Sequence, residues 1–534
     1  MNCNLMDDLR RRVAALIVVR ASGHLDDQQR RYPRWELSNS ELKQLLADGV
    51  GGVILLGGSA IELQQRTRQL QGWSDQTLLF CADVEEGVGQ RFEGASWLMP
   101  PLALGRLHRT QPAKAVELAE RFGRCTGEQA KRCGLNWVLG PVCDVNNNPA
   151  NPVINVRAWG EDPATAGCLA TAFQRGLSSA GVLGCAKHFP GHGDTSNDSH
   201  LDLPVLSHRR ERLERMELPP FRAAIAAGVD SVMTAHLLLP QLDRDHPATL
   251  SAAVLTDLLR HDLGFQGLVV TDALVMEAIA GRYDAATAAV LAFEAGADLI
   301  LMPADANAAI DGLHSAFRTG RLPLKRLDEA WERRRQALKR TTTTAIGNPA
   351  IANQEDRTLE ADLIQACISA RAVDGLAVGP GVNLIRVDGV FPCPALAGVA
   401  PALQLPSLQG FRNVVIHGQG VSPWQNDPNA PLALDRLGDG PVLLQLFLRG
   451  NPFRGDRDQQ EPWRAVVQQL QRCKRLSGLA VYGSPYLWDE LDAVLEPDIP
   501  AGYSPGQMPE AQRQLLTQLL GRPNQTANQR DFTD

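Results

Sequence analysis

Residues 187–204 read Lys-His-Phe-Pro-Gly-His-Gly-Asp-Thr-Ser-Asn-Asp-Ser-His-Leu-Asp-Leu-Pro, setting Lys187, His188, His192, Asp194, Asp198 and His200 among Pro190, Gly191 and Gly193. Pro-Gly followed by Gly-Asp cannot continue a helix and predicts a loop. On that loop Asp198 and His200 lie two apart and could face each other. A carboxylate that accepts from one imidazole nitrogen fixes the tautomer and raises the ring's basicity, leaving the other nitrogen to shuttle a proton near neutral pH. A second carboxylate, Asp272, closes the buried, β-branched run Gly-Leu-Val-Val-Thr-Asp. It has two readings, as the N-cap of the next helix or as a nucleophile at the mouth of the fold. One nucleophilic carboxylate and one proton donor are the minimum for retaining glycoside hydrolysis, in which the anomeric carbon is attacked while the leaving oxygen is protonated.

The same loop has a metal reading, since His188, His192, Asp194, Asp198 and His200 are all ligand types. Pro190 and Gly191 separate His188 from His192, so the two are not a helical i, i+4 pair, and no Glu follows His188. A metalloprotease needs both features. Gly87, Gly89 and Gly94 do not have the Gly-x-Gly-x-x-Gly spacing of a dinucleotide loop. The expectation is an enzyme that uses no metal and no organic cofactor.

Chemistry of this kind needs rigid elements behind it. Apolar runs of strand length recur at 14–19, 52–56, 78–83, 136–142, 181–186, 229–235, 267–272 and 297–302. Helical stretches separate most of them, at 38–49, 61–72, 114–132, 162–180, 208–227, 250–262 and 284–295. Eight continuous apolar strands alternating with helices predict a parallel sheet covered on both faces, and eight strands close a (β/α)8 barrel of the TIM type. In such a barrel the site is built at the carboxyl ends of the strands. There the chain offers Asp83 with Glu85, Glu86, Gln90 and Arg91, then Asp144 and Arg157, Lys187 and His188, Met233 to His236, and Thr271-Asp272. Polar groups from five strands would converge on one face, which favours an enzyme over a scaffold.

The barrel is expected over residues 1–340, a Thr-, Asn- and Pro-bearing linker over 341–357, and a smaller α/β sandwich domain over 358–534. Strands are expected there at 383–387, 413–417, 441–447 and 478–482, with helices at 358–371, 461–475 and 507–520. The chain has 534 residues, 44% of them hydrophobic, and a net charge of -7. That balance, with no basic reading motif, argues against a nucleic-acid partner. No apolar run reaches the ~20 residues of a membrane span. The ten scattered cysteines contain no Cys-x-x-Cys pair, which fits a reducing compartment and a cytoplasmic location.

Taken together, these residues resemble glycoside hydrolase family 3, in its β-N-acetylhexosaminidase branch. The segment from Lys187 through Asp198-Ser199-His200 carries the resemblance. It is supported by Asp83 to Phe92, Gly140 to Val145, Asn151 to Ile154, Arg157 to Pro163, Met233 to His236, Pro247 to Ser251 and Val270 to Leu274. The resemblance implies Asp272 as nucleophile and Asp198-His200 as the acid/base dyad. It implies that Asp83, Arg91, Arg157, Lys187 and His188 hold the hydroxyls of a terminal sugar, with Met233 and His236 lining the site. The activity it implies is retaining hydrolysis of terminal, non-reducing β-linked N-acetylglucosamine, for example from peptidoglycan-derived muropeptides. A phosphorylase or β-glucosidase of the same family is the alternative, and a catalytically inactive carbohydrate-binding protein is the alternative from another class. Four positions depart from the family's Asp-Gln-Glu-Gly-Gly-Arg-Val-Gln-Arg, at Val84, Glu86, Val88 and Gly89; of these, Glu86 puts a charge where the family has a glycine and Val88 removes an arginine.

Overall fold

The computed structural model describes residues 3–195, 202–342, 350–372, 376, 379–387, 394–416, 423–449 and 461–520. The chain divides into two compact units, Met1–Glu360 and Ala361–Asp534.

Among its described residues the first unit holds eight strands: β1 Ile17–Ser22, β2 Gly52–Leu56, β3 Leu79–Ala82, β4 Trp137–Val138, β5 Cys185–Phe189, β6 Ser231–Thr234, β7 Leu268–Val270 and β8 Ile300–Leu301. They form a five-stranded sheet in the order β4-β3-β2-β1-β8 and a three-stranded sheet in the order β5-β6-β7. Every pairing within the two sheets is parallel. Isolated parallel bridges join Trp137 to Leu183, Val142 to Lys187 and Val270 to Leu299. Nearly all strand residues are buried, as expected of a parallel sheet covered on both faces. The intervening helices start where the sequence supplies caps. Ser38 and Glu41 form a reciprocal capping box at Asn39–Ala47, and Asp162, Asp284 and Asp305 each accept a backbone N–H at the start of a helix.

Several boundaries differ from expectation for local reasons. Ala14 ends a helix, Cys3–Ala14, so the first strand begins three residues later, at Ile17. The stretch 208–227 is two helices, Arg210–Arg215 and Leu218–Ala226, with Pro219 and Pro220 in the first turn of the second. Proline has no N–H to continue a preceding helix but fits a first turn. Ala253–Asp262 is wound as a π-helix. Among the described residues no helix is long and apolar enough to cross a membrane.

The second unit is a six-stranded sheet of β9 Ser369–Arg371, β10 Gly381–Val387, β11 Phe411–Ile416, β12 Val442–Leu448, β13 Leu476–Gly483 and β14 Ala501–Ser504. Its order is β11-β10-β12-β13-β14-β9, parallel throughout except for β9. Leu444, Leu446, Val466, Val467, Leu479 and Val481 are fully buried in its core, and Trp424 meets Trp463 edge-on at 5.0 Å. Neither β9 nor β14 was expected, because Ser-Ala-Arg and Ala-Gly-Tyr-Ser carry no apolar run.

Candidate active site

The strand expected to stop at Ala186 runs on to Phe189, so Lys187 and His188 belong to β5 itself. Lys187 is tied by its backbone to the stretch after β4, its amide donating to the Pro141 carbonyl at 3.1 Å and its carbonyl accepting from the Cys143 amide at 2.6 Å, which suits a group that must be held in place. The Lys187 ammonium donates to Asp83 Oδ1, just beyond β3, and lies 2.7 Å from both that oxygen and Glu85 Oε1. Glu85 also accepts from Arg157 Nε and Nη2, both at 2.8 Å, while Arg157 Nη1 donates to the Val153 carbonyl. A run of alternating charge, Asp83–Lys187–Glu85–Arg157, therefore links three strand ends. Its inner members are closed off, with the Lys187 and Glu85 side chains 1% and 6% exposed, whereas Asp83 is 38% exposed and opens to solvent.

Burial works against every charge in this run, and the neighbours overcome it. Burial alone would lower the Lys187 ammonium, but Asp83 and Glu85 hold it above its ordinary value. Burial alone would raise the Glu85 carboxyl, but Arg157 and Lys187 keep it well below the usual carboxylate range. Arg157 is likewise raised, by Glu85 against the effect of burial. The charged forms of Lys187, Glu85 and Arg157 are thus each favoured by the neighbours they meet.

Arg91 donates through Nε to the Asp83 carbonyl at 3.0 Å and is exposed. The departures nearby are turned inward. Glu86 is buried and accepts from Trp97 Nε1 at 3.0 Å, and Val88 is fully buried at the start of a 3-10 turn. Both substitutions therefore serve the packing of the loop after β3.

On the next strand end, the buried Asp144 carboxylate meets His188 Nδ1 at 2.7 Å. A carboxylate can only accept, so Nδ1 carries the proton. Asp144 also accepts from the His188 amide at 3.2 Å and the His192 amide at 2.7 Å. Burial would raise this carboxyl, but His188 and His192 keep it below its ordinary value. Asn151 donates to the carbonyls of His192 and Gly193 at 2.9 Å, and His192 Nδ1 lies 2.8 Å from Thr195 Oγ1. Burial pushes the His192 imidazole down to about 4. An added Cβ at Gly193 would come within 1.7 Å of the Val145 carbonyl oxygen, so the close approach of the two loops requires glycine there. Asp198 and His200 lie outside the described residues.

Asp272, two residues past β7, is half-buried. Its amide donates to Thr234 Oγ1 at 3.4 Å, and its Oδ1 accepts from the Ala273 amide at 2.7 Å. Behind it, Thr234 and Thr249 hydroxyls are 2.8 Å apart, His236 Nδ1 is 2.8 Å from Thr249 Oγ1, and His236 Nε2 reaches the Ala273 carbonyl at 3.1 Å. Met233 and His236 are each 1% exposed. His236 thus supports the backbone that carries Asp272. Sequence reasoning placed Glu85 and Asp144 at strand ends without giving either a role, and did not single out Asn151 or Thr249. The two-residue step from Asp83 to Glu85 was a usable sign, because it puts both on one face of an extended segment.

The description "Glycosyl hydrolase family 3 N terminal domain" matches residues 8–336, and "Bacterial Glycosyl hydrolase family 3 C-terminal domain" matches residues 377–521. The chain is 33% identical to Beta-hexosaminidase A of Pseudoalteromonas piscicida over 372 residues, which are 63% of this chain and 62% of that relative. It is 35% identical over 289 residues to a Beta-hexosaminidase of Neisseria meningitidis, covering 53% of this chain and 79% of that one. A glycoside hydrolase family 3 beta-N-acetylglucosaminidase from Paenibacillus sp. has a similar structure, with a TM-score of 0.77, 28% identity and 97% of both chains covered. With both domain models matched in order along one chain, this protein belongs to glycoside hydrolase family 3.

Proposed function

We propose that the chain is a β-N-acetylhexosaminidase that removes terminal, non-reducing β-linked N-acetylglucosamine with retention, from small glycans such as muropeptides. The observation that carries this reading is that Asp272 follows the carboxyl end of β7, while the charged run Asp83–Lys187–Glu85–Arg157 and His188 stand at the carboxyl ends of β3 to β5. Hydroxyls of a terminal sugar need paired donors and acceptors held rigidly, and these ion pairs offer them without a net charge.

In the mechanism, an Asp272 oxygen attacks the anomeric carbon, the glycosidic bond breaks, and its electrons go to the leaving oxygen, which takes a proton from His200. The same imidazole then removes a proton from water, whose oxygen displaces Asp272 from the sugar. Asp198 would hold the His200 ring in the right tautomer. Asp83, Arg91, Arg157, Lys187 and His188 would grip the far hydroxyls, while Met233 and His236 would back the floor beneath Asp272. Nothing in these steps calls for a metal or an organic cofactor, and neither nucleic acid nor membrane has a part in them. The isolated bridges are the seams at which we read the two sheets as one closed eight-stranded barrel. Unpaired thiols buried beneath the site, Cys81, Cys143 and Cys185, suit work in the cytoplasm.

Hydrolysis of an aryl β-N-acetylglucosaminide, with the matching β-glucoside cleaved far more slowly and phosphate without effect, is the expected assay result. Preference for the glucoside would overturn the proposed specificity. Capture of the sugar as its 1-phosphate would replace hydrolysis with phosphorolysis.

A further inference from the structure

The loop after β4 carries two side chains that no step above uses. Asp144 sits fully buried and spends its carboxylate on three groups of one short segment: the imidazole Nδ1–H and amide of His188 and the amide of His192. Asn151, also fully buried, takes up the other end of that segment. Its Nδ2 donates to the His192 and Gly193 carbonyls and to Thr195 Oγ1, and its Oδ1 accepts the amides of Val153 and Ile154 at 2.8 Å. Gly193 lies against Val145 in the same loop. The stretch His188–Thr195 is therefore held on two side chains from one neighbouring loop, 44 residues away at the Asp144–His188 contact.

We infer that Asp144 and Asn151 are positioning residues: Asp144 sets the ring of His188 so that Nε2 faces the sugar, and Asn151 sets the path of the backbone from His192 to Thr195. The inference rests on the reading of His188 as a sugar-binding residue. The geometry favours it over a plain packing role. Asp144 meets the His188 imidazole nitrogen at 2.7 Å as well as two backbone amides at 3.2 and 2.7 Å, so it fixes a ring as well as a turn of backbone. Orientation by a carboxylate fixes which nitrogen is left for a ligand, and losing such a carboxylate typically costs about 10- to 100-fold in activity.

The test is a double-mutant cycle on kcat/KM for an aryl β-N-acetylglucosaminide, using the full-length chain with Asp144→Asn, His188→Ala and both together. If Asp144 acts through His188, the asparagine variant falls about 10- to 100-fold with the larger part in KM, and adds less than about 3-fold once His188 is alanine. Equal losses in both backgrounds, or an Asp144→Asn variant as active as the parent, would overturn the inference. Nitrogen-15 NMR of histidine-labelled parent, with the His188 signals identified by their loss in His188→Gln, needs no folded Asp144 variant. Protonated Nδ1 supports the inference and unprotonated Nδ1 overturns it. For Asn151→Ala, a raised KM at an unchanged melting temperature supports the positioning role. A loss confined to melting temperature, with kcat and KM unchanged, overturns it for Asn151. A parent inactive on every N-acetylglucosaminide would instead sink the functional reading and leave the NMR result standing on its own.

Discussion

Asp272 has a half-buried place at the end of β7, a hydrogen-bonded backbone and no part in the core. Asp272→Ala is therefore expected to fold as the parent does and to lose at least about 1,000-fold in kcat, the scale on which removal of a catalytic nucleophile acts. Matching thermal melts with a residual rate of more than a few per cent would remove it as nucleophile. Glu85 is a different case, because it holds Lys187 and Arg157 together inside the fold. Glu85→Gln leaves two buried cations with one carboxylate between them, and is expected to cost about 3–5 kcal/mol of stability as well as activity. Urea unfolding alongside kinetics would separate the two effects. His192 sets a pH window. Its folded value, near 4, lies below the ordinary 6.5, so the unfolded chain binds the proton first. The stability tied to its neutral form is complete above about pH 6.5 and is lost as pH falls toward 4. His192→Gln should flatten the drop in urea midpoint between pH 7 and pH 5; an unchanged drop would assign that loss to other groups.

Among the elements, the last helix of the first unit, Leu324–Arg340, does more than cover a sheet. Arg326 and Arg333 reach the fully buried Asp298 at 2.7 and 2.9 Å, and Arg260 joins them from the π-helix at 2.5 Å. Burial would raise the Asp298 carboxyl, but the arginines keep it low. Asp298→Asn strands three guanidiniums on a neutral amide, and a loss of about 3–5 kcal/mol in urea unfolding is expected. This level also explains what could be read from the sequence. The eight strands of the first unit and most of its helices were legible because parallel strands buried on both faces leave continuous apolar runs, as at Gly52–Leu56. The end of β5 was not legible, because Lys187 and His188 are polar residues inside a strand and apolarity stops before the strand does. Asp83, Lys187, His188, Arg157 and Asp272 could be named because a strand end is a fixed place in this class of fold. Glu85 and Asp144 could be placed at strand ends in the same way, but their roles could not be read, since their partners lie 72 and 44 residues away and only folding brings them together.

For the molecule as a whole, the first sheet joins distant parts of the chain. β1 lies between β2 and β8, with Ile17 in register with Ile300. Arg10 pairs with Asp311, Arg12 pairs with Asp328, and Trp331 Nε1 donates to the Arg12 carbonyl, 319 residues apart in sequence. A chain cut after Pro323 loses Arg326 and Arg333 from Asp298 and loses Asp328 and Trp331 from Arg12, and is expected to show no cooperative melt. One cut after Glu360, which keeps the whole first unit, should melt cooperatively, and equal melts from the two would disprove the role given to Leu324–Arg340. The place of β1 also has a consequence in time. A ribosome adding roughly 5–20 residues per second takes roughly 15–60 s to go from Ile17 to Ile300. The same interval separates their emergence from the tunnel, and for that long the first strand waits with one hydrogen-bonding edge unmatched. An edge left open that long is a template for pairing with another nascent chain, so newly made copies on crowded polysomes are at greatest risk of sticking to one another before their eighth strand has been made.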